Sequence, residues 1–325
     1  MGTVLNNRFT RPVFKPIMRS LLLFAPSRAG INMLYNRMTF RNCEGFFWSF
    51  VEAFRSVPAG KIRNGSWTVK FGATYLHIPF RDGLHADLAI AMRGHDHTVK
   101  ETYEAILAGP SRPDVFVDIG ASYGTHSLLM AGSGVRCIAF EPNPICLSIS
   151  LPLFQCNGIS VDWRSIAIGD HAARVILRYP EENTTLGSVV TPDSECRDAR
   201  FRLVEVKQER LDDQSIPEGV VLIKIDVEGG ELKVLRGGES FIRRRSPKII
   251  FECFECDTTR LKLLEYFSEL SYSVVSLPVG KKFPLLPLSK EEFLSSSETN
   301  FMAIPRQLAN EDAKLQLQGC EYIEF

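Results

Sequence analysis

The sequence predicts an α/β protein: a doubly wound, mostly parallel sheet of seven strands, with a helical and hairpin extension ahead of it. Three observations predict this. From about residue 114 onward, short apolar, β-branched runs alternate with helical patterns. The runs are apolar throughout, as strands buried on both faces of a parallel sheet are. The run VFVDI leads into a small-residue turn, GASYG, and then into a helical pattern, the strand–turn–helix order of a doubly wound unit.

In chain order the strands are expected at Val115–Asp118, Arg136–Phe140, Val161–Ile168, Val220–Asp226, Lys248–Cys253, Ser273–Leu277 and Phe301–Ile304. Helices are expected at Thr125–Ala131, Pro144–Cys156, Glu231–Arg244 and Thr258–Leu270. The segment Arg174–Val206 breaks the rhythm, and its runs Val175–Tyr179, Gly187–Val190 and Phe201–Val206 read as an inserted hairpin or small antiparallel extension. Before residue 95 a helical arm precedes the alternating stretch SWTVKFGATYLHIPF, which reads as another hairpin. The expected organisation is therefore an extension over 1–95, the main domain over 96–306 with its insertion at 174–206, and a polar tail over 307–325.

Composition is that of an ordinary globular chain, 45% hydrophobic, 23% charged and of zero net charge, which gives no reason to expect a nucleic-acid partner. Eight cysteines without a secretory leader read as reduced thiols, and a cytoplasmic location is expected. No apolar run approaches the roughly 20 residues a bilayer span needs. The longest candidate, Leu21–Ala25, follows Pro12 and Pro16 and reads as a short buried helix. Residues 1–63 hold ten Lys and Arg against Glu44 and Glu52, a balance of +8. That excess suits an arm touching an anionic membrane surface or an acidic acceptor. The more ordinary reading is a solvated helical face packing by Phe46, Phe47, Trp48, Phe50 and Phe54.

In a doubly wound sheet, ligands lie beyond the carboxyl ends of the strands, so the turn after VFVDI is the expected site. Gly120, Ala121 and Gly124 would let the backbone approach a bound group closely. A dinucleotide site would carry G-x-G-x-x-G there, but Ala121 and Ser122 stand where the second glycine is sought. Asp118 entering the turn would repel a diphosphate and suits a cationic ligand, which the sulfonium nucleoside S-adenosyl-L-methionine is. The second strand ends in AFEPNP, placing Glu141 where a carboxylate can accept hydrogen bonds from ribose hydroxyls. In LIKIDVEGGELKVLRGG, Asp226 ends a strand and Glu228 and Glu231 follow; the next strand, KIIFECF, carries Glu252 near its end. Helix-dipole preference accounts for Glu231 but poorly for Asp226.

The ordered set VFVDIGASYG, AFEPNP, SIAIGD, RLDD, LIKIDVEGGE and NFMAIP resembles the FkbM-type family of S-adenosylmethionine-dependent methyltransferases, over roughly residues 96–306. Ser122 replaces an asparagine usual in that family's turn, His126 stands where an aromatic is frequent, and Gly230 replaces an alanine. The resemblance implies a class I methyltransferase-like sheet. It also implies that Asp118, Gly120, Ala121, Ser122 and Gly124 line the methionine part of the cofactor. Glu141 would hold the ribose beside Pro142 and Asn143, and the segment from Ala167 to Asp170 would lie by the adenine. It implies O-methylation of a hydroxyl on a sugar, surface glycan or secondary metabolite.

Such a hydroxyl needs a general base or a metal to lose its proton. Asp226, Glu228 and Glu252, clustered at adjacent strand ends, are the first candidates. Crowded carboxylates either share a proton or bind a cation, and Asp226 and Glu252 would suit Mg²⁺. His126 is the rival base, kept neutral in the first turn of a helix. His95 and His97 lack an evident third zinc ligand, Cys253 and Cys256 lack a second pair, and Arg243–Arg245 end a helix where cations favour the dipole. Two other functions stand beside methyl transfer: an inactive cofactor-binding scaffold and a nicotinamide-dependent oxidoreductase. The methyl acceptor and the oligomeric state are not written in the sequence.

Overall fold

The computed structural model describes residues 11–110, 112–180, 187–190, 200–254, 257–279 and 286–308. They divide into two compact units, one of residues 1–104 with 152–159 and the other of 105–151 with 160–325. Cys256 and the tail after residue 308 lie outside the described residues.

The first unit opens with helices α1 (Arg11–Leu23), α2 (Ala25–Tyr35) and α3 (Phe40–Arg55). A hairpin follows, β1 (Ser66–Phe71) paired antiparallel with β2 (Thr74–Pro79), then α4 (Gly83–Gly94) and α5 (His97–Ala108). Strict alternation in SWTVKF puts Trp67, Val69 and Phe71 on one buried face. Trp67 stacks on Phe80 at 5.6 Å, and Phe54 meets both rings edge-on. Asn32 of α2 grips β1 at both backbone groups of Thr68, by bonds of 2.7 and 2.9 Å. Thr39 and Asp82 cap α3 and α4 by accepting from the amides of Asn42 and His85. The short buried helix expected at Leu21–Ala25 is instead the junction of two longer helices. There Leu22 is buried but Leu21 and Phe24 face solvent, because α1 packs by one stripe only. Trp48, expected in the aromatic core, is 55% exposed; a helix turns it away from the side of Phe47 and Phe54.

The second unit carries a sheet built from β3 (Val115–Ile119), β4 (Arg136–Phe140), β5 (Asp162–Arg164), β10 (Val221–Ile225), β11 (Lys248–Glu252), β12 (Tyr272–Ser276) and β13 (Asn300–Pro305). Its order is β12-β13-β11-β10-β3-β4-β5, parallel except for β13, which runs antiparallel to β11 and β12. Every residue of β3 and β10 is buried, as the continuous apolar runs require. Between the strands lie α6 (Thr125–Gly132), α7 (Pro144–Cys156), α8 (Glu231–Gly237), α9 (Glu239–Arg245), α10 (Asp257–Glu269) and α11 (Lys290–Ser295). The chain winds one way from β3 through β4 to β5 and the other way from β10 through β11. The switch point therefore falls between β3 and β10, where a doubly wound sheet opens a crevice.

The insertion is a second sheet of four strands, β6 (Ala167–Ile168), β7 (Ala173–Pro180), β8 (Ser188–Val190) and β9 (Phe201–Glu209), in the order β6-β9-β7-β8. The strand expected over Val161–Ile168 is thus two. Its first half pairs with β4, the chain turns at Ser165 with the Ile166 amide bonded to the Arg164 carbonyl, and its second half pairs with β9. That turn contains neither glycine nor proline, so the sequence does not punctuate it. The helix expected over Glu231–Arg244 is likewise two, broken at Gly237–Gly238. A side chain at Gly237 would meet the Gly169 carbonyl oxygen at 1.9 Å, so the break is where two backbones touch.

Candidate active site

The turn after β3 is shaped by close backbone contact. Gly120 has φ +82°, and a Cβ there would lie 1.7 Å from the carbonyl oxygen of Asp226 at the end of β10. Glycine is therefore demanded by the approach of two strand ends, a reason beyond the room for a bound group that the sequence suggested. Gly124 caps α6 in the left-handed region at φ +70°, and Ser122 sits at φ +51°. The amides of Gly120 and Ala121 both donate to the Phe140 carbonyl, at 2.9 and 3.1 Å. The Ser122 amide donates to Glu141 and the Gly124 amide to Ala121. Four amides of the turn are thus engaged by the protein itself, whereas a phosphate cradle leaves such donors open.

Carboxylates occupy the turn instead. Asp118 has no exposed surface; Ser127 of α6 donates to its Oδ2 at 2.7 Å, and its Oδ1 has no hydrogen-bond partner among the described residues. A buried acceptor left unpaired is costly unless a ligand supplies the donor. Glu141, 8% exposed at the end of β4, accepts from the Ser122 amide at 2.8 Å and the Asn143 amide at 2.7 Å, one on each oxygen. Burial pushes its pKa up to about 7 against the pull of those two amides, and Asp118 and Asp226 add to the rise. Each carboxylate oxygen keeps a second lone pair for a donor from a ligand. Asn143 is buried and caps α7, its Oδ1 accepting from the Ile145 amide at 3.1 Å, with half-buried Pro142 before it and Pro144 at the first helical position. Its placement serves Glu141 and the helix together.

The acids at the next strand ends also converge. Oxygens of Asp226, Glu228 and Glu252, all half-buried, lie within 4.8 Å of one another. Glu228 sits at φ +54°, and its carboxyl is held above the usual range by burial, then by Asp226 and Glu231. Glu231, expected only to favour a helix N-terminus, is buried and staples the loop by accepting the Gly229 amide at 3.0 Å. Burial raises its pKa as well. Lys224 escaped the sequence reading. It is buried within β10 and places its ammonium 2.7 Å from Asp226 Oδ2. The available signal was a lysine inside the apolar run VVLIKI two residues before an acid, which a strand's period of two puts on one face.

His126 is buried at the second position of α6. Ala167 is buried in β6, packed with Leu177, Tyr179 and Val206 of the smaller sheet. Of the other expectations, His97 bonds Glu44 at 2.6 Å and His95 bonds Asp96 at 3.1 Å, both on the first unit. Cys253 is buried, its thiol donating to the Phe254 carbonyl at 3.6 Å.

The donors fit the ligands the sequence suggested. The orphaned Asp118 oxygen and the open valence of Glu141 suit a nucleoside bearing an amino-acid tail. The three carboxylates offer the oxygen-only set a hard cation such as Mg²⁺ takes. Lys224 also gives that cluster a cation of its own.

A doubly wound sheet of this strand order, with its last strand inserted antiparallel and an acidic glycine turn at the switch point, defines the class I methyltransferase-like fold. Residues 118–274 match the model of the methyltransferase FkbM domain. Methyltransferase sdnD of Sordaria araneosa is 31% identical in a match covering 39% of this chain and 61% of that protein. The methyltransferase FkbM crystal structure from Methylobacillus flagellatus KT aligns with a TM-score of 0.42 and 14% identity, over 83% of this chain and 62% of that one. A Pyrococcus abyssi tRNA (uracil-54, C5)-methyltransferase in complex with S-adenosyl-L-homocysteine aligns with a TM-score of 0.34 and 9% identity, over 74% and 43% of the two chains. The chain thus spans about three fifths of the length of the first two relatives.

Proposed function

We propose that this protein is an S-adenosylmethionine-dependent O-methyltransferase acting on a hydroxyl of a sugar, glycan or secondary metabolite. The observation that carries the reading is a turn whose amides are engaged internally and whose acidic side chains are buried Asp118, with an unpartnered Oδ1, and Glu141, each oxygen of which accepts one amide and keeps a lone pair. Such a turn favours a cationic nucleoside over a dinucleotide, which sets the oxidoreductase reading aside. When bound, the cofactor supplies a methyl group on a sulfonium that departs as a neutral thioether.

Asp118 and the turn would hold the amino-acid end, and Glu141 the ribose hydroxyls. Holding the acceptor oxygen in line behind the methyl carbon supplies much of the rate, because the encounter becomes effectively unimolecular. The carboxylate cluster of Asp226, Glu228 and Glu252 would take the acceptor hydroxyl's proton as its oxygen is methylated. Lys224 holds Asp226 by a charge-assisted bond, so the cluster keeps its geometry while the proton arrives. His126, buried at the start of α6, stays the rival base. A second reading, Mg²⁺ at Asp226 and Glu252, is favoured by the three converging carboxylates.

The test is incubation with methyl-labelled cofactor and a panel of hydroxylated acceptors. Label transferred to an oxygen by the wild type, and lost in Asp226→Asn with S-adenosylhomocysteine affinity kept, supports the reading. Transfer undiminished in that variant defeats the catalytic assignment, and cofactor binding with no transfer to any acceptor class favours the inactive scaffold.

A further inference from the structure

We infer that the N-terminal helices form a docking face for an anionic lipid surface. Among the described residues, six of the sixteen exposed large apolar side chains fall between residues 17 and 48, a stretch of the first unit only. Ile17, Leu21 and Phe24 are 51%, 39% and 62% exposed, and spacings of four and three residues put them on one face. The amide of Phe24 bonds the Ser20 carbonyl at 3.3 Å, so the α1 hydrogen-bond ladder reaches Phe24, where the backbone turns extended before α2. Met33 and Leu34 on α2 and Trp48 on α3 are more than half exposed as well.

What selects the occupant is charge. The patch lies within residues 1–63, whose balance is +8 inside a chain whose total is zero. Internal pairs absorb little of it: Lys15 meets Glu52, Arg55 meets Asp87, and Arg28 is turned inward to the Leu22 carbonyl. Arg19, Arg37, Arg41, Lys61 and Arg63 remain exposed. Apolar side chains standing out of short helices with a basic surround are what an interfacial helix presents to acidic headgroups. No helix among the described residues is long and apolar enough to cross a membrane, so the contact is peripheral. This inference does not depend on the methyl-transfer reading.

The experiment is flotation of the full chain with vesicles of phosphatidylcholine alone or with about 30% phosphatidylserine, together with the emission of Trp48 followed against a Trp48→Phe control. The expected result is binding to the anionic vesicles, a blue shift of Trp48, and a loss of tenfold or more in half-molar salt. Replacing Ile17, Leu21 and Phe24 together by serine should weaken binding at least tenfold without moving the melting temperature by more than a few degrees. Arg19→Glu with Arg37→Glu should weaken it similarly, since each basic residue near such a surface contributes about fivefold. No binding to either vesicle, equal and salt-insensitive binding to both, or a dimer in sedimentation that the serine variant dissolves would each overturn the inference.

Discussion

Glu141→Gln tests the nucleoside grip and its electrostatic cost in one variant. In the ligand-free protein this carboxylate is 8% exposed and its pKa stands at about 7, against an ordinary 4.5. The folded protein therefore holds more protons than the unfolded chain between those values. The stability linked to this group is complete below about 4.5 and is lost as pH rises through about 7. With 1.36 kcal/mol per pKa unit, the loss is about 3 kcal/mol once both states are ionised. Glutamine does not titrate, so the difference in unfolding free energy between variant and wild type should shift by roughly 2.5 kcal/mol in the variant's favour from pH 5 to pH 8.

Binding should move the other way. Hydrogen bonds from two ribose hydroxyls to a charged group are worth about 1.5–3 kcal/mol each, and glutamine keeps one acceptor. S-adenosylhomocysteine should therefore bind about 10²-fold more weakly to the variant. Wild-type affinity should rise roughly tenfold from pH 6 to pH 8 as the carboxylate ionises, and the variant's should stay flat. Urea unfolding and calorimetric titration at the two pH values measure both halves. Equal affinity in variant and wild type, or the same pH slope in both, would refute the reasoning.

Gly120→Ala should destabilise by more than the roughly 1–2 kcal/mol a left-handed residue costs, because its Cβ also falls 1.7 Å from the Asp226 carbonyl; urea titration beside Gly124→Ala, which meets the φ cost, gives the comparison. Lys224→Met should lower kcat by about 10²-fold or more while S-adenosylhomocysteine affinity changes less than threefold, as expected if half-buried Asp226, the proposed base, loses the cation that holds it. The same preparations, dialysed against EDTA and titrated with Mn²⁺ by electron paramagnetic resonance, separate the two readings of the cluster. Activity that survives dialysis assigns the cation to Lys224, and Mn²⁺ bound by the wild type but not by Asp226→Asn assigns it to a metal. Asn143→Ala should cost about 1 kcal/mol through loss of the α7 cap, read as a lower melting temperature.

The sheet and its ligand turn were legible because burial on both faces writes itself as unbroken apolar runs, and because each strand end is marked by an acid or a small residue. Arg136–Phe140 and Pro144–Cys156 fall where the pattern puts them. The split between Arg164 and Ala167 was not legible. A strand that changes partners through an ordinary turn keeps its apolar pattern, and its new neighbour β9 lies some forty residues further on. The break at Gly237–Gly238 was written in the glycines but reads as helix, since only the touching Gly169 backbone requires it. At the site, acids at strand ends could be read singly, as Asp118, Glu141, Asp226 and Glu252. Their mutual distances, the orphaned oxygen of Asp118 and the lysine beneath Asp226 depend on register between strands far apart in sequence. Gly120 shows the converse: the sequence marks the glycine, but the backbone atom its Cβ would strike belongs to Asp226, just past β10, and only the fold brings the two together.

The most direct measurement is a crystal structure of the protein soaked with S-adenosylhomocysteine. The account predicts density in the crevice between β3 and β10, its ribose hydroxyls bonded to Glu141 and a donor against Asp118 Oδ1. An empty crevice at saturating ligand, or density seated elsewhere on the molecule, would contradict it.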